Sequence, residues 1–265
     1  MSPKTNAIVF DLDETLGSFS QPYHFWNLLK KYTNDSDLED KYFFSLLDLF
    51  PQFLRPNLLK LLKSIKLKKQ NKTCDYVMIY TNNNGPNYWA TLIQSYLHHK
   101  LKYNLFDQII RAFKINGKQV EICRTSYGKS YKDFIGCSKL PSNTTVCFID
   151  DNIHNDMNHD NVWYFNISPY NCNVDYMTLC KKYYKHNKLM LKSSFSKFYN
   201  FINTNKNNYK LEYLTKPKPV LKLDYAVTDY LITQLNIIFP HKQNKTQKNK
   251  NKNKNKNNHS KTLKM

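Results

Sequence analysis

Residues 7–17 read Ala7-Ile-Val-Phe-Asp11-Leu-Asp13-Glu-Thr15-Leu-Gly17, and this stretch decides the fold. Four apolar residues in a row suit a strand buried on both faces. The run ends at Asp11, with Asp13 and Thr15 at alternate positions after it. The carboxyl end of a buried strand is where open α/β sheets place their ligands. Two carboxylates so close to an apolar strand repel each other unless a positive charge lies between them. A hard divalent cation with oxygen ligands, Mg²⁺, meets that need most simply.

Other buried strands are expected at Asp75–Tyr80, ending in Thr81-Asn82-Asn83-Asn84-Gly85, and at Thr145–Ile149, ending in Asp150-Asp151-Asn152. Phe106–Arg111 and Val162–Ile167 are shorter candidates. Helical spacing of apolar residues marks Tyr23–Tyr32, Asp37–Phe50, Asn57–Ile65, a helix from Pro86 to about residue 99, Val174–Tyr184, Ser194–Ile202 and Leu221–Phe239. Asn34-Asp35-Ser36 is expected to cap the second of these and Asn57 the third. Asn116-Gly117 inside 113–122 predicts a hairpin. Strands alternating with helices give an α/β fold with a mostly parallel sheet. Right-handed crossovers then gather Asp11, Asp13, Thr81, Asp150 and Asp151 at one edge. The domain organisation expected is a body over 1–202, a linker over 203–220, a helix over 221–240 packed back on the body, and a disordered Asn/Lys-rich tail over 241–265.

The 265 residues carry 40 basic and 20 acidic side chains, a formal charge of +20. The last 25 residues hold nine lysines and no acid, which leaves +11 on residues 1–240. A basic body favours acidic partners, namely phosphoproteins, nucleic acid or anionic surfaces. The plainer account of the lysine and asparagine excess is an AT-biased coding sequence. Only 5 glycines argue against a glycine-rich nucleotide loop. Cys74, Cys123, Cys137, Cys147, Cys172 and Cys180 are scattered with no C-x-x-C pair, so zinc is not expected, and several lie in apolar segments where a free Cys packs as a small hydrophobe. The expectation is an intracellular, soluble chain in a reducing compartment, cytoplasm or nucleus, with no membrane insertion.

The set assembled at the strand ends suits phosphoryl transfer, whose catalysis is mainly positioning and electrostatic stabilisation. One carboxylate can serve as nucleophile, a second as proton carrier, a hydroxyl as phosphate grip and a lysine as counter-charge. Phe10-Asp11-Leu12-Asp13-Glu14-Thr15-Leu16 resembles motif I of the haloacid-dehalogenase superfamily, and most closely the branch of phosphatases acting on the C-terminal domain of RNA polymerase II. Arg55-Pro56 resembles that branch's Arg-Pro before a helix, Ile79-Tyr80-Thr81 motif II, Lys132-Asp133 motif III and Phe148–Asn152 motif IV, over residues 5–200 in all.

The resemblance implies a haloacid-dehalogenase-like (Rossmann-like) phosphatase with small insertions in place of a large cap. It implies that Asp11 is nucleophile and metal ligand. Asp13 is general acid/base with its carbonyl on the metal, and Thr15 supports it. Thr81 and Asn82 hold phosphate, Lys132 neutralises it, and Asp150 and Asp151 complete the Mg²⁺ site. Lys129 rivals Lys132, which is preferred because Asp133-Phe134 follows it. Arg124 is a further phosphate-grip candidate, otherwise an exposed loop arginine; His154 and His159 read as solvated. The open site suits phosphoserine or phosphothreonine in protein. The alternatives are a nucleotide or nucleic-acid 3′-phosphate, and a basic binding protein with a vestigial site.

Overall fold

A computed structural model describes residues 5–206 and 218–240. Five parallel strands form its sheet: β1 (Asn6–Phe10), β2 (Tyr76–Tyr80), β3 (Gln108–Ile110), β6 (Thr145–Asp150) and β7 (Val162–Asn166), in spatial order β3-β2-β1-β6-β7. The hairpin is present as β4 (Lys114–Ile115) and β5 (Lys118–Gln119). Both its turn residues, Asn116 and Gly117, have positive φ, which is why that pair is there.

The central strands are apolar throughout because both faces of the sheet are covered. Ile8, Phe10, Val77, Ile79, Cys147 and Ile149 face the larger core cluster. That cluster is built with α1 (Ser20–Thr33), α2 (Asp40–Leu49), α3 (Leu58–Gln70), α4 (Asn87–Leu101), α6 (Tyr176–Leu191), α7 (Phe195–Asn205) and α8 (Lys218–Ile238). Ala7, Val9, Met78, Tyr80, Val146 and Phe148 face the smaller one, under α5 (Tyr131–Ser138). The period-2 alternation along β1 thus divides two cores.

Several helix ends differ from expectation. The second helix starts at Asp40, not Asp37, and none of Asn34, Asp35 and Ser36 caps it. Asn57 stands at the start of α3 in the left-handed region without a side-chain cap bond. Helix α7 runs to Asn205, so the body extends past 202; residues 207–217 of the expected linker and the whole expected tail, 241–265, lie outside the described residues. Helix α8 packs on α3, where Thr228 Oγ1 donates to the Pro56 carbonyl and the buried Lys68 ammonium donates to Asn236 Oδ1 and the Phe239 carbonyl. No helix among the described residues is long and apolar enough to cross a membrane. Cys123 and Cys137 are disulfide-bonded, against the expectation of a chain in a reducing compartment. The chain turns back through a loop into α5 and brings them together, which spacing along the sequence does not reveal.

Candidate active site

Strand order reverses direction at β1, with β2 on one side and β6 on the other, and such a switch point opens a crevice at the carboxyl ends of the strands. Phe10 is in register with Ile79 and Ile149, so the residues that follow, Asp11, Tyr80-Thr81 and Asp150, emerge at one level. The Asp11 amide still donates to the Ile149 carbonyl at 2.9 Å and the Thr81 amide to the Ile110 carbonyl at 2.9 Å, so both side chains stand on rigid strand ends.

After Asp11 the chain makes a tight loop. Glu14 takes a positive φ, its amide donates to the Gly17 carbonyl, and Leu16 donates back to Leu12. Gly17 is there because a Cβ would lie 2.5 Å from the Phe53 carbonyl oxygen. The buried Arg55 guanidinium donates to the carbonyls of Thr15, Glu14 and Ser168, at 2.7, 2.5 and 2.8 Å. Arg55 thus clamps the acidic loop from beneath.

Carboxylate oxygens of Asp11, Asp150 and Asp151 lie within 4.8 Å of one another. The lysine among them is Lys129: its ammonium contacts Asp11 and donates to Asp150 Oδ2 at 2.6 Å, and the residue is 2% exposed. Lys132, preferred on sequence, is exposed on α5. The signal that separates them is Ser130-x-x-Asp133: Ser130 Oγ accepts from the Asp133 amide and caps α5. That cap puts 129 on the loop entering from the sheet edge and 132 in the first helical turn.

Thr15 also differs from expectation. Its hydroxyl donates to Asp151 Oδ1 at 2.9 Å and accepts from the Asp151 amide at 3.1 Å, so it steadies Asp151 rather than Asp13. Asp13 is held instead by Asn83, whose Nδ2 donates to Asp13 Oδ2 at 2.6 Å. Asn83 is the middle of three asparagines after Thr81, a run that gives no hint of this partner. The Thr81 hydroxyl accepts from the Asn83 amide at 3.0 Å. Asn82 Oδ1 accepts from Arg124 at 2.8 Å.

Arg124 is buried, not exposed. Its guanidinium donates to the carbonyls of Thr81, Arg111, Tyr127 and Gly128 as well as to Asn82. It ties the Thr81 loop to the Lys129 loop. His154, read as solvated, lies against the site: Nε2 is 3.4 Å from Asp150 Oδ2 and Nδ1 accepts from the Lys129 amide at 3.4 Å. His159 stacks on Tyr131, with ring centres 4.0 Å apart.

Burial sets the charges apart. Desolvation pushes the Asp11 carboxyl up to about 7, against the pull of Lys129. Burial likewise raises Asp13, despite its Asn83 bond, and Asp151, despite Thr15. Burial also works against ionising Asp150, but the bonds to His154 and Lys129 outweigh it and hold that carboxyl below its usual range. Clustered oxygen donors facing one ammonium leave negative charge uncompensated. The Asp11, Asp150 and Asp151 oxygens therefore fit a hard cation such as Mg²⁺ by type and by spacing. No family model, curated protein or solved structure matches the chain.

Proposed function

We propose that this chain is a Mg²⁺-dependent phosphomonoester hydrolase of the haloacid-dehalogenase type, acting through an aspartyl-phosphate on phosphorylated side chains of protein. The observation that carries the reading is the convergence of Asp11, Asp150, Asp151 and Lys129 at the switch point, with Asp13 and Thr81 beside them. Asp11, Asp150 and Asp151 would hold the cation, which when bound supplies charge against phosphate and carboxylates. An Asp11 carboxylate oxygen attacks phosphorus, and the bond from phosphorus to the leaving oxygen breaks. That oxygen takes the proton of the Asp13 carboxyl, which burial keeps protonated to higher pH than an ordinary aspartate. Water then gives a proton to Asp13 while its oxygen attacks phosphorus. The bond from phosphorus to Asp11 breaks, inorganic phosphate leaves, and both carboxyl groups are restored.

Lys129 offsets charge on the transferring group, Thr81 offers a hydroxyl to its oxygens, and Arg124 keeps both loops in place. The motif resemblance favours phosphoserine and phosphothreonine as substrates. Hydrolysis of an aryl phosphate with Mg²⁺ tests the reaction. Turnover that chelation abolishes and that Asp11→Asn lowers at least about a hundredfold is expected. Comparable turnover in Asp11→Asn overturns the nucleophile.

A further inference from the structure

Asp13, which interacts with Asp151 and Lys129 of the acidic cluster, also lines a cleft of about 240 Å³ between the start of α1 and the loop before α4. The half-buried rings of Tyr23 and His24 line the cleft together with Ser20, Asn83 and Asn84, and the buried rings of Phe19 and Trp89 lie behind them. The walls are braced. Tyr23 meets Trp89 edge to face at 5.0 Å, Trp89 meets Phe43 at 5.1 Å, and Phe19 and Trp89 are almost wholly buried behind the opening. Asn83 joins the cleft to the acidic cluster: its side chain donates to Asp13, its backbone amide donates to Thr81, and its Oδ1 accepts from Gly85 at 2.8 Å.

A general acid must reach the leaving oxygen, so the group attached to that oxygen lies on Asp13's side. We infer that the cleft seats an aromatic ring bonded to the scissile oxygen, making phosphotyrosine the side chain this site takes. The inference rests on the hydrolase reading and puts phosphotyrosine in place of the phosphoserine or phosphothreonine that the motif resemblance favours. Size supports one ring: the cleft is smaller than the roughly 300–1,000 Å³ usual for drug-sized ligands, so a base plus ribose is a poor fit. The walls support it too, since rings meet other rings favourably edge to face or offset. A serine or threonine stem leaves the Tyr23 and His24 rings uncovered.

Binding and turnover separate the two claims. The full chain with Mg²⁺ is titrated by calorimetry with two peptides of one sequence, one bearing phosphonomethyl-phenylalanine and the other the phosphonate analogue of phosphoserine. The ring peptide is expected to bind about tenfold tighter or better. Ser20→Trp, at an exposed position lining the cleft, fills it and is expected to cut that preference to about threefold or less. Tyr23→Ala removes a wall and lowers it as well. Equal affinities in the unmodified chain, or a preference untouched by Ser20→Trp, overturn the ring seat. Hydrolysis of the matching phosphopeptides is followed in parallel. Ring-selective binding without any hydrolysis overturns the hydrolase reading and keeps the seat. Hydrolysis without ring preference keeps the hydrolase and overturns the seat.

Discussion

Lys129 carries the largest consequence of any single side chain, because it is the ammonium shared by Asp11 and Asp150 in a buried setting. Removing one partner of such a group leaves charge buried and uncompensated, at a cost of about 3–5 kcal/mol. Lys129→Met is therefore expected to destabilise the metal-free protein by about that amount in denaturant unfolding, and Mg²⁺ should restore part of it. Lys132→Ala, on an exposed turn, should stay within about 0.5 kcal/mol and keep turnover within about twofold.

Asp11 gives a pH signature. Its folded carboxyl titrates near 7 and its unfolded one near 3.8, so between those values the folded state binds more protons. Stability of the metal-free protein from this group is then highest below about 4 and falls as pH rises towards 7. Asp150 has the opposite sign: its lowered carboxyl adds stability at neutral pH that is lost on acidification. Thermal melts from pH 5 to pH 8 should show the Asp11 loss, and Asp11→Asn should flatten it. A slope unchanged in that variant removes the assignment.

Among the elements, the segment from Cys123 to Cys137 concentrates the most site geometry. It holds Arg124 and Lys129 and the cap of α5, and its two ends are joined covalently. Asp133 braces it further by accepting from the Thr125 amide and hydroxyl. A cross-link closing a loop of this length constrains the unfolded chain by about 3 kcal/mol. Reductant, or Cys123→Ser with Cys137→Ser, should lower the unfolding free energy by about 2–4 kcal/mol. Unchanged stability on reduction, with both thiols alkylated, would refute that. Helix α8 contributes differently, through burial of Leu231, Leu235 and Phe239 against the core beside α3.

At the level of the whole molecule, one sheet turns separate carboxylates into a cluster, and a cation is the natural response to that cluster. Mg²⁺ that binds only the folded chain should raise stability by about 2.7 kcal/mol at a hundred times its dissociation constant. The shift should vanish in Asp150→Asn with Asp151→Asn, and a thermal-shift titration checks both. By itself the sequence determined the α/β class, the five strands and the acidic residues that end two of them, because apolar runs and the residues after them are local facts. It also placed the hairpin, since Asn116-Gly117 supplies the positive φ its turn requires. It did not determine side-chain partners. Whether Lys129 or Lys132 reaches Asp11, whether Thr15 serves Asp13 or Asp151, whether Arg124 is exposed or buried, and which cysteines meet all depend on how loops cross the sheet edge. Those paths are set by packing among residues far apart in the chain, so only the tertiary structure decided that Asp13 is held by Asn83 and lines a cleft beside Tyr23 and His24.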